Sequence, residues 1–264
     1  MNHEAYHAIS AFYDRVNEDV DYDAWADYIE SQMRCHLKER PELLLDLACG
    51  TGRMTLTLAE RGYDMIGVDG SADMLNIAMA RAREAGHAEI LYLLQDMREF
   101  ELYGTVGAVT CCLDSVNYLT EDGDLRDCFA TVHNYLDPDG LFFFDVNTPY
   151  KFETVYGENS YLFDEETEDG RAVYCGWQNY YDPETHLCDF DLSVFTEERD
   201  GRYRREDESH TERCYTLSEL TGTLVATGFE LIGVHGDLDG GKPTAECERW
   251  YIVARAKKNG KQIL

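Results

Sequence analysis

Short apolar runs separated by helix-like segments recur between residues 43 and 145 of the chain. Each run is continuous rather than alternating and is too short for a buried helix. Such runs are typical of strands that are covered on both faces of a parallel sheet. We predict five strands, at Leu43–Leu47, Met65–Val68, Ile90–Leu94, Gly107–Cys112 and Leu141–Asp145.

Helices are predicted between these strands, because apolar residues recur there at helical spacing. Ser71 is placed to cap a helix whose apolar residues fall on one face. Another helix is predicted over about Asp122–Leu136, and Pro138-Asp139-Gly140 then predicts a turn. The first 40 residues carry recurring aromatic side chains and predict amphipathic helices. The pattern up to residue 149 is therefore that of an α/β protein.

The pattern changes to a period of two over residues 150–213. Asp182-Pro183 and Asp200-Gly201 supply turns between the alternating runs, which predicts an antiparallel β insertion. A capping box at Thr216–Glu219 then opens a helix that Gly228 closes, and Phe229–Val234 and Trp250–Ala254 predict two last strands. We therefore expect three segments: an N-terminal core over 1–149, the insertion over 150–213, and the end of the core over 214–264.

A glycine-rich turn follows the first strand, in the sequence LLLDLACGTGRMT of residues 43–55. A dinucleotide site requires a third glycine at position 55, which is Thr55. A P-loop is excluded because no Gly-Lys-Ser/Thr follows the turn. An acid that is suited to a ribose is present, since Asp69 ends the second strand. A nucleoside ligand is thus better supported than a pyrophosphate.

Composition narrows the choice of partners. The formal net charge is −29, so a phosphate backbone is a disfavoured substrate and nucleic acid is an unexpected partner. We expect a cytoplasmic protein without a membrane span or signal peptide, since no long apolar run occurs. The nine cysteines include no Cys-x-x-Cys pair, which favours buried reduced thiols, and the histidines lack the spacing of metal ligands.

The turn, read as Asp46-Leu47-Ala48-Cys49-Gly50-Thr51-Gly52, closely resembles motif I of the class I S-adenosylmethionine-dependent methyltransferases. The stretches GVDGSADML, QDMREF, CLDSVNYL and GLFFFDVNTPYKF resemble the family's next four motifs. The resemblance covers about residues 40–148 and 214–256. It is nearest to small bacterial members with a β insertion after strand five, a group that resembles the nucleotide-sugar amine N-methyltransferases. It implies a Rossmann-like seven-stranded sheet with helices on both faces, plus the antiparallel insertion.

The resemblance also implies a cofactor site for S-adenosyl-L-methionine, with S-adenosyl-L-homocysteine as product and no metal. Asp69 lies in the ribose-binding place, Asp96 and Met97 lie around the adenine, and Asp46 lies near the methionyl end. Tyr13, Tyr22 and Trp25 are candidates to close over the cofactor, or else are plain helix-packing aromatics. The full predicted cofactor set is Tyr13, Tyr22, Trp25, Asp46, Ala48, Gly50, Gly52, Asp69, Gly70, Ser71, Met74, Asp96, Met97, Leu113 and Asp114.

Candidates for catalysis lie at the carboxyl edge of the sheet and at the end of the insertion. Asp114, His210 and Tyr13 are the candidate catalytic residues, and Asn117, His210 and Arg213 are the candidate acceptor-binding residues. The alternatives are a turn or helix cap at Asp114 and an exposed strand face around His210 and Arg213. The insertion either caps the active site or pairs with a second subunit, so a monomer and a homodimer both remain open.

These observations favour a methyltransferase that acts on nitrogen or oxygen of a small molecule. Three other functions remain as alternatives: a non-catalytic cofactor-binding protein, an NAD-dependent oxidoreductase and, more weakly, an RNA methyltransferase. The place after strand four reads Leu113-Asp114-Ser115-Val116-Asn117 rather than the Asn/Asp-Pro-Pro-Tyr typical of enzymes that methylate exocyclic amines of nucleic-acid bases.

Overall fold

A computed structural model describes residues 13–167 and 170–258. The part of the predicted N-terminal helical segment before Tyr13 lies outside these residues. The helices are α1 (Tyr13–Val16), α2 (Tyr22–His36), α3 (Arg53–Glu60), α4 (Ala72–Glu84), α5 (Asp124–Tyr135) and α6 (Leu217–Ala226). The strands are β1 (Leu43–Leu47), β2 (Asp64–Asp69), β3 (Leu91–Leu94), β4 (Val106–Cys111), β5 (Leu136–Asn147), β6 (Ser160–Glu166), β7 (Ala172–Asp182), β8 (Leu187–Glu197), β9 (Tyr203–Arg213), β10 (Phe229–His235) and β11 (Arg249–Ala256).

Seven strands form the main sheet in the order β10-β11-β5-β4-β1-β2-β3. The first five strands of the chain are parallel, and β11 runs antiparallel to both β5 and β10. Both faces of the sheet are buried, because neighbouring residues of β1 enter different cores: Leu44 packs with α2 and α3, while Leu45 packs with α5 and α6. The predicted Rossmann-like seven-stranded fold with helices on both faces is confirmed.

The structure corrects the prediction of a turn at Pro138-Asp139-Gly140. These residues lie inside β5, which begins directly after α5 instead of at Leu141. The register between β4 and β5 shifts from the pair Val106–Leu136 to the pair Ala108–Leu141, which makes this stretch a bulge. Proline lacks the N–H that a ladder requires, so the chain bulges there without leaving the sheet.

Strands β6 to β9 form a separate antiparallel sheet in chain order, all within the predicted insertion. Its inner face is apolar along β7 and β8 and packs on Phe152. Phe152 belongs to a short π-helical turn, Lys151–Tyr156, that follows β5. Tyr13 and Val16 of α1 pack against the same cluster, so α1 lies between the insertion and the rest of the chain.

The predicted capping box is present at the start of α6, where Thr216 and Glu219 bond to each other's backbone. It begins the helix directly after the insertion ends. None of the helices within residues 13–167 and 170–258 combines the length and apolar composition needed to cross a membrane.

Candidate active site

The turn after β1 carries two glycines with different surroundings. Gly50 has φ +54° and a Cβ added to it would meet no atom within 4 Å. Gly52 has φ +75°, and a Cβ there would lie 2.8 Å from both Ala78 Cβ and Tyr92 Oη. Both positions favour glycine because of their positive φ. Gly50 keeps a space open for a ligand, whereas Gly52 lets α4 and β3 approach the turn.

Asp69, at the end of β2, holds its carboxylate over this turn. Its Oδ2 accepts a hydrogen bond from Gly50 N and its Oδ1 accepts one from Ser71 N, both at 2.8 Å. Burial raises the pKa of Asp69, although these backbone donors oppose the rise. The carboxylate is therefore fixed in place, and each oxygen keeps a lone pair that could accept a ligand hydroxyl.

Two adjoining cavities lie at the carboxyl ends of the parallel strands. The first measures about 650 Å³ and is lined by Tyr13, Ala48, Gly50, Val68, Asp69, Gly70, Ser71, Met74, Gln95, Met97, Leu113, Ser115 and Tyr118. The second measures about 390 Å³ and is lined by Tyr13, Tyr22, Asp46, Ala48, Cys49, Gly50, Thr51, Arg53, Met54, Cys112, Leu113 and Ser115. The structure thus brings together eleven of the predicted cofactor residues, from Tyr13 to Leu113.

Tyr13 lines both cavities because α1 is tied to the turn beneath it. The neighbouring Asp14 accepts a hydrogen bond from Thr51 Oγ1 at 2.7 Å and pairs with Arg81 of α4. Arg81 also donates to the Thr51 carbonyl. Burial, and then the nearby Tyr22 and acidic groups, raise the pKa of Tyr13, so its hydroxyl is neutral and serves as a hydrogen-bonding group.

Asp46 forms a buried acidic floor in the second cavity. Its carboxylate accepts hydrogen bonds from Thr55 Oγ1 at 2.6 Å and from Thr110 Oγ1 at 2.9 Å. Burial raises the pKa of Asp46 to about 6 against the effect of these two hydroxyls. Arg53 lines the same cavity, where its guanidinium lies 4.4 Å from the centre of the Tyr22 ring.

Four residues of the predicted cofactor set do not line either cavity. Trp25 packs edge-on against Tyr251 in the core, with ring centres 4.9 Å apart. Gly52 serves packing, as described above, and Asp114 joins a charge cluster described below. Asp96 bonds to Arg98, with Oδ2 accepting at 2.6 Å, and this guanidinium lowers the pKa of Asp96 to about 2. Its neighbours Gln95 and Met97 line the first cavity instead.

A buried ion-pair cluster lies directly beside the cavity wall formed by Leu113 and Ser115. Asp114 Oδ1 accepts from Arg249 Nη2 at 2.8 Å, and Arg249 also pairs with Asp145 at the end of β5. Leu113 and Asp114 both have positive φ, 59° and 53°, a conformation that is uncommon for residues other than glycine and is enriched at functional sites. The Asp114 N–H donates to Asp145 Oδ2 at 2.9 Å, so the unusual backbone is held by the cluster itself.

The electrostatics of the cluster argue against Asp114 as a strong base. Burial acts to raise its pKa, but the charges of Arg249 and Lys151 outweigh burial and hold the pKa below the usual aspartate value. Burial raises the pKa of Asp145, and Arg249 opposes that rise. Asp114 is therefore ionised, which suits the binding of a donor group better than the removal of a proton.

The candidate acceptor-binding residues take three different places. Asn117 is fully buried and connects the insertion to the core: its Nδ2 donates to the Arg213 carbonyl at 2.8 Å, and its Oδ1 accepts from Asn147 N at 3.0 Å. The Arg213 side chain points elsewhere, towards Asp122 and Glu219 at the surface. The exposed-face alternative for His210 is wrong, since this residue is buried.

His210 lies on the inner face of the insertion sheet. Its Nε2 lies 2.9 Å from Glu208 Oε1, and both side chains are buried. Its ring packs edge-on against Tyr118, with centres 5.9 Å apart, and Tyr118 lines the first cavity. His210 thus reaches the cavity through Tyr118.

Arg249 and Asp145 belong to the site but were not predicted from the sequence. Both carried a usable signal, because Asp145 ends a predicted apolar strand as Asp69 does, and Arg249 begins the last strand. The pairing of β11 with β5, which places Arg249 opposite Asn147, depends on tertiary structure. Within the described part of the chain, no group of His, Cys, Asp or Glu is arranged to hold a metal ion.

The two cavities fit a nucleoside with an amino-acid tail. Asp69 could hold ribose hydroxyls, and Met74 and Met97 could cover a flat nucleobase. Asp46 and Arg53 supply a carboxylate and a guanidinium for the ammonium and carboxylate groups of a zwitterionic tail. The open space at Gly50 lies on the wall that both cavities share. These are the parts of S-adenosylmethionine, so the donor set fits this cofactor.

Comparisons with known proteins agree with this reading. A methyltransferase-domain family model matches residues 44–140. The Bacillus subtilis (strain 168) protein YqeM, named as a methyltransferase, is 33% identical over 96% of this chain and 98% of its own. A crystal structure of an S-adenosylmethionine-dependent methyltransferase from Clostridium acetobutylicum ATCC 824 superposes with a TM-score of 0.84, at 29% identity, over 96% of this chain and 99% of its own.

A third relative carries a named activity. The glycine/sarcosine N-methyltransferase of Halorhodospira halochloris is 29% identical over 81% of this chain and 82% of its own. Three observations indicate the same family: the high coverage of these relatives, the strand order of the main sheet, and the cavity at Gly50 and Asp69. The chain belongs to the class I S-adenosylmethionine-dependent methyltransferases.

Proposed function

We propose that this enzyme transfers the methyl group to the nitrogen of a small-molecule amine. The observation that carries the proposal is the buried cluster of Asp114, Asp145 and Arg249, which adjoins the cofactor cavities through Leu113 and Ser115. Carboxylates beside the cavity suit an acceptor that brings hydrogen-bond donors, as an amine does. The N-methyltransferase name of the Halorhodospira relative, together with the resemblance to nucleotide-sugar amine enzymes, supports nitrogen over oxygen.

The residues of the chain act mainly by position. Bound S-adenosylmethionine supplies an electrophilic methyl carbon on a positively charged sulfur. Asp69 and the turn at Gly50 fix the cofactor, while Tyr13 and α1 cover it and exclude water. Asp114, held by Arg249, orients the acceptor nitrogen. Alignment of this kind accounts for much of the rate of a displacement between two bound reactants.

We assign His210 a positioning role rather than direct catalysis. It is separated from the cavity by Tyr118, whose ring it supports, and Glu208 fixes the imidazole. Tyr13 remains the candidate that can touch the acceptor, since its side chain lines both cavities and its pKa is raised by burial and then by neighbouring groups that include Tyr22 and Asp114.

The alternatives fit less well. A non-catalytic cofactor-binding protein is disfavoured by the relatives that are named as methyltransferases. An oxidoreductase would need close packing at position 55, which is a buried threonine bonded to Asp46. An RNA substrate would meet the net charge of −29.

Calorimetric titration with S-adenosylhomocysteine tests the cofactor site, with NADH as the control ligand. We expect micromolar binding, weakened on the order of 100-fold in Asp69→Ala, because two hydrogen bonds to a charged group are lost. Asp64→Ala is the matched control, since Asp64 lies exposed at the other end of the same strand. Preference for NADH, or equal affinity of Asp69→Ala and Asp64→Ala for S-adenosylhomocysteine, would reject this cofactor site.

The acceptor class is tested by mass spectrometry of reaction mixtures. We expect methylation of members of a panel of glycine, sarcosine and amino-sugar nucleotides, and none of matched compounds with a hydroxyl in place of the amine. Methylation of the hydroxyl compounds alone would overturn the assignment to nitrogen.

A further inference from the structure

The ion-pair cluster continues into the insertion through Glu212, on the last strand of that sheet. Glu212 is only 4% exposed and its Oε2 accepts a hydrogen bond from Asn147 Nδ2 at 3.1 Å. Asn147 Oδ1 in turn accepts from Lys151 Nζ at 3.2 Å. The side-chain carboxyl group of Glu212 therefore lies at the C-terminal end of β5, close to Asp114.

An independent observation points to a ligand at this place. Asp145 is fully buried, and its Oδ1 atom has no hydrogen-bond partner among the residues that the structure describes. A buried carboxylate oxygen without a donor costs free energy, because its lost hydration is not replaced by a hydrogen bond. Because Asp145 shares Arg249 with Asp114, this unsatisfied acceptor belongs to the same cluster.

The balance of charge favours a cationic ligand over an anionic one. Three carboxyl groups, on Asp114, Asp145 and Glu212, face two cations, Arg249 and Lys151. Arg249 is already shared between two carboxylates. An incoming carboxylate would compete with these acids for the same guanidinium, whereas an ammonium group would add donors and a missing positive charge.

The cluster is not sealed from solvent. The side chains of Lys151, Arg249 and Asp114 keep 15%, 18% and 19% of their surface exposed. Asp114 also lies between Leu113 and Ser115, both of which line the cofactor cavities. A small polar group could therefore reach the cluster from the place where the cofactor binds.

Resting on the proposed function, we propose that the acceptor binds in this cluster as an ammonium ion and that the Glu212 carboxylate takes its proton before the nitrogen is methylated. The N–H bond of the ammonium breaks, its electron pair stays on nitrogen, and the proton forms an O–H bond on Glu212. The neutral amine then uses this pair to form the new N–C bond, while the bond between the methyl carbon and sulfur breaks and its electron pair stays on sulfur. The product leaves as a methylated ammonium, and Glu212 gives up its proton to solvent when the next ammonium ion binds.

The surroundings of Glu212 suit this task. Burial, and then the negative charge of Asp114, raise its pKa well above the usual value, against the effects of Asn147, Lys151 and Arg249. A higher pKa makes the carboxylate a better proton acceptor near neutral pH. The titratable and charged groups that face Glu212 are Asp114, Lys151, Tyr156, Cys188 and Arg249.

Proton release on binding tests the proposal without turnover. Ethylammonium chloride is titrated calorimetrically into the complex with S-adenosylhomocysteine, in Tris and in phosphate at about pH 7. Burial and the charge of Asp114 favour the protonated form of Glu212 in the free site, and this proton is released when the carboxylate pairs with the cation. We expect heats that differ between the buffers for the wild type, and no difference for Glu212→Gln. Asp207→Asn, an exposed change on the same strand, should match the wild type.

Kinetics with ethylamine supply the second readout. We expect kcat/KM for Glu212→Gln to fall by about 10²-fold or more, the usual range for loss of a general base. In Glu212→Gln, the rise of kcat/KM with pH that the wild type shows should keep only the part that comes from the ionisation of ethylamine. Binding of S-adenosylhomocysteine should stay unchanged.

The outcomes separate the two proposals. Failure to bind S-adenosylhomocysteine rejects the proposed function. Binding of S-adenosylhomocysteine without binding of ethylammonium, equal proton release in Glu212→Gln, or an unchanged pH profile in that variant rejects the role of Glu212 alone. Sodium acetate that binds in place of ethylammonium would also overturn it, because the cluster would then select anions.

Discussion

At the scale of single residues, Gly50 and Gly52 of the turn both favour glycine, but for different physical reasons. Both glycines have positive φ, which costs other residues about 1–2 kcal/mol. Only Gly52 is also crowded, since Ala78 and Tyr92 lie where its Cβ would be. The first glycine is thus needed for ligand access and the second for packing.

Alanine at each position should give opposite phenotypes. Gly52→Ala should be less stable than Gly50→Ala by about 1–3 kcal/mol, the usual cost of overpacking, as measured by urea unfolding. Gly50→Ala should weaken binding of S-adenosylhomocysteine, because its methyl group enters the open space at the cavity wall. Equal stability of the two variants would contradict this division of roles.

The sequence indicated the residues that line the cavities far better than those of the charge cluster, for a physical reason. Gly50 and Met97 each follow a parallel strand and Asp69 ends one, so their common position at one sheet edge can be predicted from strand order alone. Glu212 and Arg249 approach the same edge from an insertion strand and an antiparallel strand. Their positions depend on register and on how two sheets meet, which no local pattern records.

At the scale of elements, boundaries followed local chemistry wherever a cap or turn was decisive. Ser71 and Thr216 cap their helices as predicted, because each side chain accepts from a backbone N–H of the first turn. The exception is β5, where backbone pairing with Val106 keeps a proline-containing stretch in the sheet. The short helix α1 has only four residues, too few for stability of its own, and depends on tertiary contacts.

Asp14→Ala should therefore release α1 without unfolding the core. Its loss removes the hydrogen bond from Thr51 and the ion pair with Arg81. We expect S-adenosylhomocysteine to bind on the order of tenfold more weakly, since one charged interaction of about 1.5–3 kcal/mol no longer holds Tyr13 over the cavity. Thermal denaturation should change little. Glu18→Ala, an exposed change just beyond α1, is the control, and an equal loss of affinity there would contradict the prediction.

At the scale of the whole molecule, charge opposes folding. Asp and Glu number 52 against 23 Lys and Arg, so the compact state concentrates like charges. Ion pairs such as those of Arg61 with Asp23, Asp27 and Glu30 relieve this only locally. Salt screens such repulsion over about 10 Å at 0.1 M ionic strength.

Added sodium chloride should therefore raise the melting temperature. Between about 0.02 M and about 0.5 M we expect a gain on the order of 1 kcal/mol, or roughly 2–4 °C for a chain of this size. Differential scanning calorimetry measures the shift, and sucrose at matched osmolality separates screening from solvent exclusion. A melting temperature that falls with salt would show that attractive ion pairs dominate.

The attachment of the insertion has a consequence for how such enzymes diverge. Cofactor groups come from the ends of the parallel strands, whereas the insertion contributes Glu212 to the charge cluster from its final strand. The side chain of Asn117 connects that strand end to the core by bonding to backbone groups of Arg213 and Asn147. This connection therefore does not depend on which side chains the strand carries. Descendants of one ancestral gene could exchange side chains along β9 and acquire new acceptors, while inheriting the cofactor pocket unaltered.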